Sequence, residues 1–289
     1  MTRFPVLALA GAVLALTTIA TPSFAETTTP TCITPTVSGV TCQGPICISS
    51  HVTYDADLSK ATTVNEKKLA FDIWSWNSFL ALNWPVSDQR GQPDTSKTLG
   101  SPGARVWESF KTTPETFPTP PAKPTAWNAP DIGPGAETKC PAAPDGWRAS
   151  GWLRPLSLIN KGDDPSLAAV TQPMSGKFGF LIDQNGNYVY IDVMTNEQSY
   201  NFVLDNKFYD ADVQAASTQA QLLFPSGDIA TKKAAPFNVK PSWKILVKGK
   251  DDASRFYARP AYVINPQTSE CTIQQVGLVG FHLTAKTTS

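Results

Sequence analysis

A chain of 289 residues carries 24 basic and 24 acidic side chains, so it has no net field to gather a polyanion, and nucleic acid is a poor partner. Only 17% of residues are charged, while there are 25 prolines and 8 tryptophans. That composition points to a stiff, aromatic-rich chain of the kind often found outside cells.

Arg3 precedes an apolar run from Leu7 to Ala20, which is shorter than the about 20 residues a spanning helix needs. Ser23-Phe24-Ala25 then places small residues at both positions a signal peptidase reads. Residues 1–25 therefore read as a cleavable secretory signal, with a periplasmic or secreted chain starting near Glu26. No second long apolar run follows, so no membrane span is expected in the mature chain.

Residues 26–53 are rich in Thr and Pro and lack an apolar period, and read as an extended arm. The rest, 54–289, reads as one domain. Export makes disulfides the expected state of the five cysteines. Cys32, Cys42 and Cys47 are close enough for two of them to close a small loop. Cys140 and Cys271 are far apart and suited to stapling a loop to the late sheet. The odd cysteine is free or pairs elsewhere. Cys42-x4-Cys47-x3-His51 lacks the histidine directly after the second thiol that haem attachment requires. It also lacks a fourth zinc ligand, so a structural disulfide beside a bystander histidine is expected.

The clearest helix is Val64 to Trp84. Thr63 and Glu66 form a capping box, and Leu69, Ile73, Trp76 and Leu80 line one face. Phe71, Trp74, Phe79 and Leu82 occupy other faces, so the helix is expected to be central and buried on nearly all sides, ending at Pro85. Lys111 to Trp147 contains nine prolines and reads as an irregular insertion without regular structure.

Phe178–Ile182 and Tyr188–Met194 read as strands joined through Asn185-Gly186. Asp183, Asn185 and Asn187 resemble part of a calcium loop, but the ligand set is incomplete and Gly186 falls one place early, so a turn is expected. Thr195 and Gln198 suggest a second capping box. Tyr200, Leu204 and Phe208 give one helical stripe, and Val213, Ala216, Ala220 and Leu223 give another. Strands follow at Trp243–Val247, Phe256–Ile264 and Gln275–Leu283. The last is apolar on both faces, with Gly277 and Gly280 permitting close approach, and should be central. The fold class is therefore α+β: a central buried helix on a largely antiparallel sheet, with long irregular Pro-rich loops.

Several stretches resemble a family of exported bacterial proteins to which no activity attaches. They are W-S-W-N-S-F-L-A-L-N-W-P (Trp74 to Pro85), V-W-E (Val106 to Glu108), G-F-L-I-D-Q-N-G (Gly179 to Gly186), V-K-P-S-W-K (Val239 to Lys244) and V-G-L-V-G-F-H-L (Val276 to Leu283). The resemblance runs from about Ala70 to the end and implies a shared fold. Some members extend into an aromatic-rich segment, a few with a covalent haem attachment motif. Cys-x-x-Cys-His is absent from this chain, so no haem or other cofactor is expected.

Three sets of residues are chemical candidates. His282, on the last strand, has the acid-base range suited to catalysis, although a hydrogen-bonded core histidine is the commoner outcome. Glu108 beside Trp107, with Asp72 and Asp192, has the make-up of a glycosidase pair, the alternative being an acid next to a core tryptophan. Trp74, Trp76, Asn77, Asn83 and Trp84 are candidates to line a ligand pocket or, equally, to pack a core and order loops. No Gly-x-Ser-x-Gly, phosphate loop, Rossmann pattern or metal set is present. The expected function is an exported, non-catalytic binding or accessory protein for a protein partner or small ligand. The alternatives are an extracellular hydrolase using a carboxylate or His282, and a redox partner of a haem protein.

Overall fold

Thr63 starts the main helix, α1 (Val64–Leu82), as expected. Its hydroxyl accepts from the Glu66 amide at 3.2 Å, and the Glu66 carboxylate returns to the Thr63 amide at 2.9 Å. The Thr63 amide, with the Thr62 amide and hydroxyl, holds the Glu66 carboxyl down at about 2. Asn83 closes the helix, its side chain donating to the Phe79 carbonyl at 2.8 Å.

This is a computed structural model, which describes residues 31–33, 46–50, 54–59, 61–118, 122–131, 140–142, 155–156, 181–218, 222–265 and 268–288. The expected leader, most of the N-terminal arm, Cys42, His51, Trp147 and the first residues of the expected 178–182 strand lie outside the described residues. Two short strands of the arm are described, β1 (Thr31–Ile33) and β2 (Ile46–Ile48). Their antiparallel register sets the Cα of Cys32 opposite that of Cys47.

The remaining elements are β3 (Lys111–Thr112), α2 (Thr113–Thr116), β4 (Pro155–Leu156), β5 (Tyr190–Ile191), β6 (Met194–Thr195), α3 (Glu197–Asp205), α4 (Ala211–Ala216), β7 (Phe237–Ile245), β8 (Ala258–Ile264) and β9 (Cys271–Ala285). They form a seven-stranded sheet in the order β3-β6-β7-β9-β8-β4, with β5 also on β7. Every pairing is antiparallel except β4 with β8. The chain is therefore α+β with a largely antiparallel sheet. No helix among the described residues is long and apolar enough to cross a membrane.

β9 lies between β7 and β8, the central place its two apolar faces require. Gly277 is needed there: a Cβ on it would stand 2.9 Å from Leu246 Cδ2 and 3.0 Å from Phe256 Cβ. The main core gathers under the sheet around Trp107, Trp243, Tyr190, Met194 and Val276. The Trp107 ring is tilted against Trp243 at 5.9 Å and meets Phe281 edge-on at 5.3 Å.

Four expectations need correction. First, α1 is not central. It covers one face of the sheet, stacking Trp74 on Phe237 at 5.7 Å and meeting Phe281 through Phe79. Val64 and Trp76 are 82% and 55% exposed. A sheet meets a helix along one stripe, so apolar residues on the other faces stay in water.

Second, the Pro-rich insertion begins with regular structure, β3 and α2. Pro114 sits where its missing N–H costs nothing, and Glu115 accepts from the Thr112 amide and hydroxyl, each at 2.8 Å. Its described continuation is anchored: Trp127 is buried, and Ala129 O accepts from buried Arg90 and Lys111, each at 3.0 Å.

Third, the expected 188–194 strand is broken into β5 and β6. The Val193 amide turns to Asp192 Oδ1 at 2.8 Å and its carbonyl accepts from the Thr113 amide at 3.0 Å, so Val193 leaves the β7 ladder. Fourth, the cap of α3 is Asn196, whose Oδ1 accepts from the Ser199 amide at 3.1 Å, whereas Thr195 bonds Asn238 across the sheet. Of the second expected helical stripe, Val213 and Ala216 lie in α4, which buries none of its residues, and Ala220 lies outside the described residues.

The turn reading of Asp183–Asn187 holds. Asp183 Oδ1 accepts from the amides of Asn185 at 2.8 Å and Asn187 at 2.9 Å, and Gly186 takes φ 80°. Buried Lys244 supplies the local cation, 2.6 Å from Asp251 and 3.6 Å from Asp183.

Candidate functional site

A short 3-10 turn, Val106–Ser109, follows a loop that folds back on the end of α1. Val106 N–H donates to Trp84 O and Val86 N–H to Ala104 O, each at 2.9 Å. The turn thereby sets Trp107 and Glu108 inward, both fully buried. Trp107 Nε1 donates to Asn83 Oδ1 at 3.2 Å, so the asparagine that caps α1 also orders the turn. Trp84 Nε1 donates to Asp94 O at 3.0 Å. Asn83, Trp84 and Trp107 thus hold loops together, and Trp74 packs on Phe237. Asn77 is half-buried on α1.

Glu108 is a buried counterion. It accepts from the Arg105 amide at 2.8 Å, from the Arg259 guanidinium and from the Tyr257 hydroxyl. Arg259 lies over Trp243 at 5.2 Å, and Arg105 over the Tyr257 ring at 5.1 Å. Every direction from which a substrate would reach this carboxylate is filled. The proposed glycosidase grouping does not assemble: Asp72 is exposed and paired with Lys68 at 3.1 Å, while Asp192 is buried between β5 and β6. His282 is exposed, opposite Lys240 in the β7–β9 register, not in the core. Alternation explains this, since its neighbours Phe281 and Leu283 face inward. Glu108 and His282 do not share a cleft.

Burial pushes the Tyr257 hydroxyl up to about 12, and Tyr190 likewise to about 12. A raised value means the folded chain keeps its proton where the unfolded chain, near 10, releases it. The stability these two tyrosines contribute is complete below pH 10 and is lost as pH rises through about 12. Burial raises Tyr200 as well, so near-ultraviolet tyrosinate absorbance should show at least three tyrosines ionising later in the native protein than in urea. Coincident native and unfolded titrations would contradict the burial described.

The open space lies beside these residues. A cleft of about 220 Å³ is walled by Leu82 at the end of α1, Val106 of the 3-10 turn, Phe110, Trp127 and Phe237. Its polar lining is Ser50, Tyr54, Gln92, Asn196, Glu197 and Gln198. Gly91, at φ 75°, lets the chain pass Trp127: a Cβ would stand 3.2 Å from that ring. Asn196 is fully engaged, donating to Ala235 O at 2.9 Å and accepting from the Phe237 amide at 2.9 Å. Ser50 Oγ is buried without a partner among the described residues. Burial raises the pKa of Glu197.

The cleft lining adjoins the segments singled out in the sequence. Leu82 adjoins Asn83, and Val106 adjoins Trp107. Along a helix end and a tight turn, successive side chains point in different directions, so Trp107 and Glu108 are enclosed while Leu82 and Val106, themselves buried, also line the cleft. Glu197 and Ser50 carried no local signal. Among the described residues no group of three or more His, Cys, Asp or Glu is placed to hold a metal. No protein-family model, curated protein or solved structure matches the chain.

Proposed function

We propose that the protein is an exported binding protein whose cleft between α1, the 3-10 turn and α3 receives a small amphipathic ligand. The observation that carries this reading is the cleft itself: aromatic and aliphatic walls, with polar groups set at separate points of the lining. That combination gives affinity by burial and orientation by hydrogen bonding. Its volume of 220 Å³ is below the about 300–1,000 Å³ typical of drug-sized ligands, so the ligand is small. The leader-like residues 1–25 and the resemblance of Trp74–Pro85 to exported bacterial proteins support export. An N-terminus at Glu26 in protein recovered from periplasm or medium is the matching observation.

The test is a thermal-shift screen of small aromatic and aliphatic compounds of positive, negative and zero charge. At least one should raise the melting temperature of the wild-type protein by mass action. The same compound should fail on Ala234→Trp, which fills the cleft from its rim. A panel without effect, or shifts unchanged by Ala234→Trp, would refute ligand binding in the cleft.

A further inference from the structure

We infer that the cleft selects a small organic cation, an ammonium group on a compact apolar body, with Glu197 as its counterion. This rests on the binding reading above and adds the chemical class of ligand. Among the described residues lining the cleft, Glu197 alone carries a charge. Its carboxylate makes no hydrogen bond or ion pair with any described residue. Two buried cations packed near the Trp127 wall are already engaged. Arg90 meets Asp131 at 2.8 Å and Ser109 O at 2.6 Å. Lys111, fully buried, meets Glu115 at 3.1 Å and Ala129 O at 3.0 Å.

A partly buried acid without a counterion costs free energy unless something supplies the opposite charge. Burial is the one cause that moves the Glu197 carboxyl, and it moves it upward, as for an acid lacking a cationic neighbour. The first turn of α3 acts in the other direction, its amide dipoles favouring the ionised form. A bound ammonium would complete the neutralisation. The second polar feature is independent. Ser50 is 2% exposed and lines the same cleft, and its hydroxyl has no partner among the described residues. A serine oxygen accepts from an ammonium N–H, and an ammonium has three donors to distribute. Phe110, Trp127 and Phe237 supply apolar walls for the body of the ligand.

The experiment uses the leader-free oxidised chain and three probes of matched shape: 3-phenylpropan-1-amine, 3-phenylpropan-1-ol and 3-phenylpropanoate. Affinities are read by calorimetry at neutral pH, with Ala234→Trp as the cleft control. The amine should bind at least tenfold more tightly than the alcohol and the carboxylate. Glu197→Gln should remove that preference while its urea unfolding midpoint does not fall below the wild-type value. Ser50→Ala should weaken the amine more than the alcohol. If the alcohol or carboxylate binds as well as the amine, or Glu197→Gln binds the amine unchanged, the cation inference fails and the binding reading stands. If no probe binds, or Ala234→Trp binds as wild type does, both fail.

Discussion

Glu108→Gln should destabilise the protein by about 3–5 kcal/mol. The substitution keeps the side-chain volume but leaves Arg259 charged in a buried site, against Trp243 and with its Nε already unpartnered among the described residues. Breaking one side of a buried pair is costly because the remaining charge has lost its solvent and gained nothing in return. The paired removal Glu108→Gln with Arg259→Met should recover most of the loss, since a methionine can lie on Trp243 where the guanidinium lay. Urea unfolding followed by tryptophan fluorescence measures both variants. A single variant within about 0.5 kcal/mol of wild type would mean that the pair is exposed to water. A double variant as unstable as the single would mean that Arg259 is held by something other than Glu108. The same experiment separates structure from catalysis, because a stability loss reversed by a methionine is not the behaviour of a proton-transfer residue.

Removal of the Cys140–Cys271 disulfide, by Cys140→Ser with Cys271→Ser, should cost a comparable amount. The bond joins residues 131 apart, and the chain-entropy account gives about 5 kcal/mol for a loop of that size. Measured bridges deliver about 2–4 kcal/mol, so a loss of 2–5 is expected. Cys271 opens β9, and close by the Tyr262 hydroxyl donates to Pro141 O at 2.9 Å, so the bridge fastens the end of the Pro-rich insertion to the sheet. Hydrogen exchange should therefore quicken first at Tyr262–Ile264 and Cys271–Ile273, which pair across β8 and β9. Equal urea midpoints for reduced and oxidised protein would show that the insertion is held by Arg90, Lys111 and Trp127 alone.

How much of this was legible in the chain depends on the distance over which each feature is encoded. The Thr63–Glu66 box, the helix after it and the Asn185-Gly186 turn are decided within a few residues, and each formed as read. The Cys140–Cys271 staple was named because cysteines declare themselves by type, and the central place of β9 because both its faces are apolar. What failed was orientation. Trp76 carries the same apolar signal as Trp74, yet one is in water and the other on Phe237, because only the position of the sheet breaks the tie. His282 went outward because one residue of strand register moves a side chain to the opposite face.

The amino-acid sequence by itself determined the capped helix, the Asn185-Gly186 turn and the antiparallel class, because capping and turn chemistry act locally, whereas the structure chose the Cys140–Cys271 pairing. Only the tertiary structure decided which charges are counterions and which face an opening. Glu108 meets Arg259 across 151 residues, whereas Glu197 meets no described partner, and nothing near either residue distinguishes them. An isolated carboxylate has no preferred neighbour until the backbone brings one within a few ångströms, so the difference between a core ion and a site is made by packing.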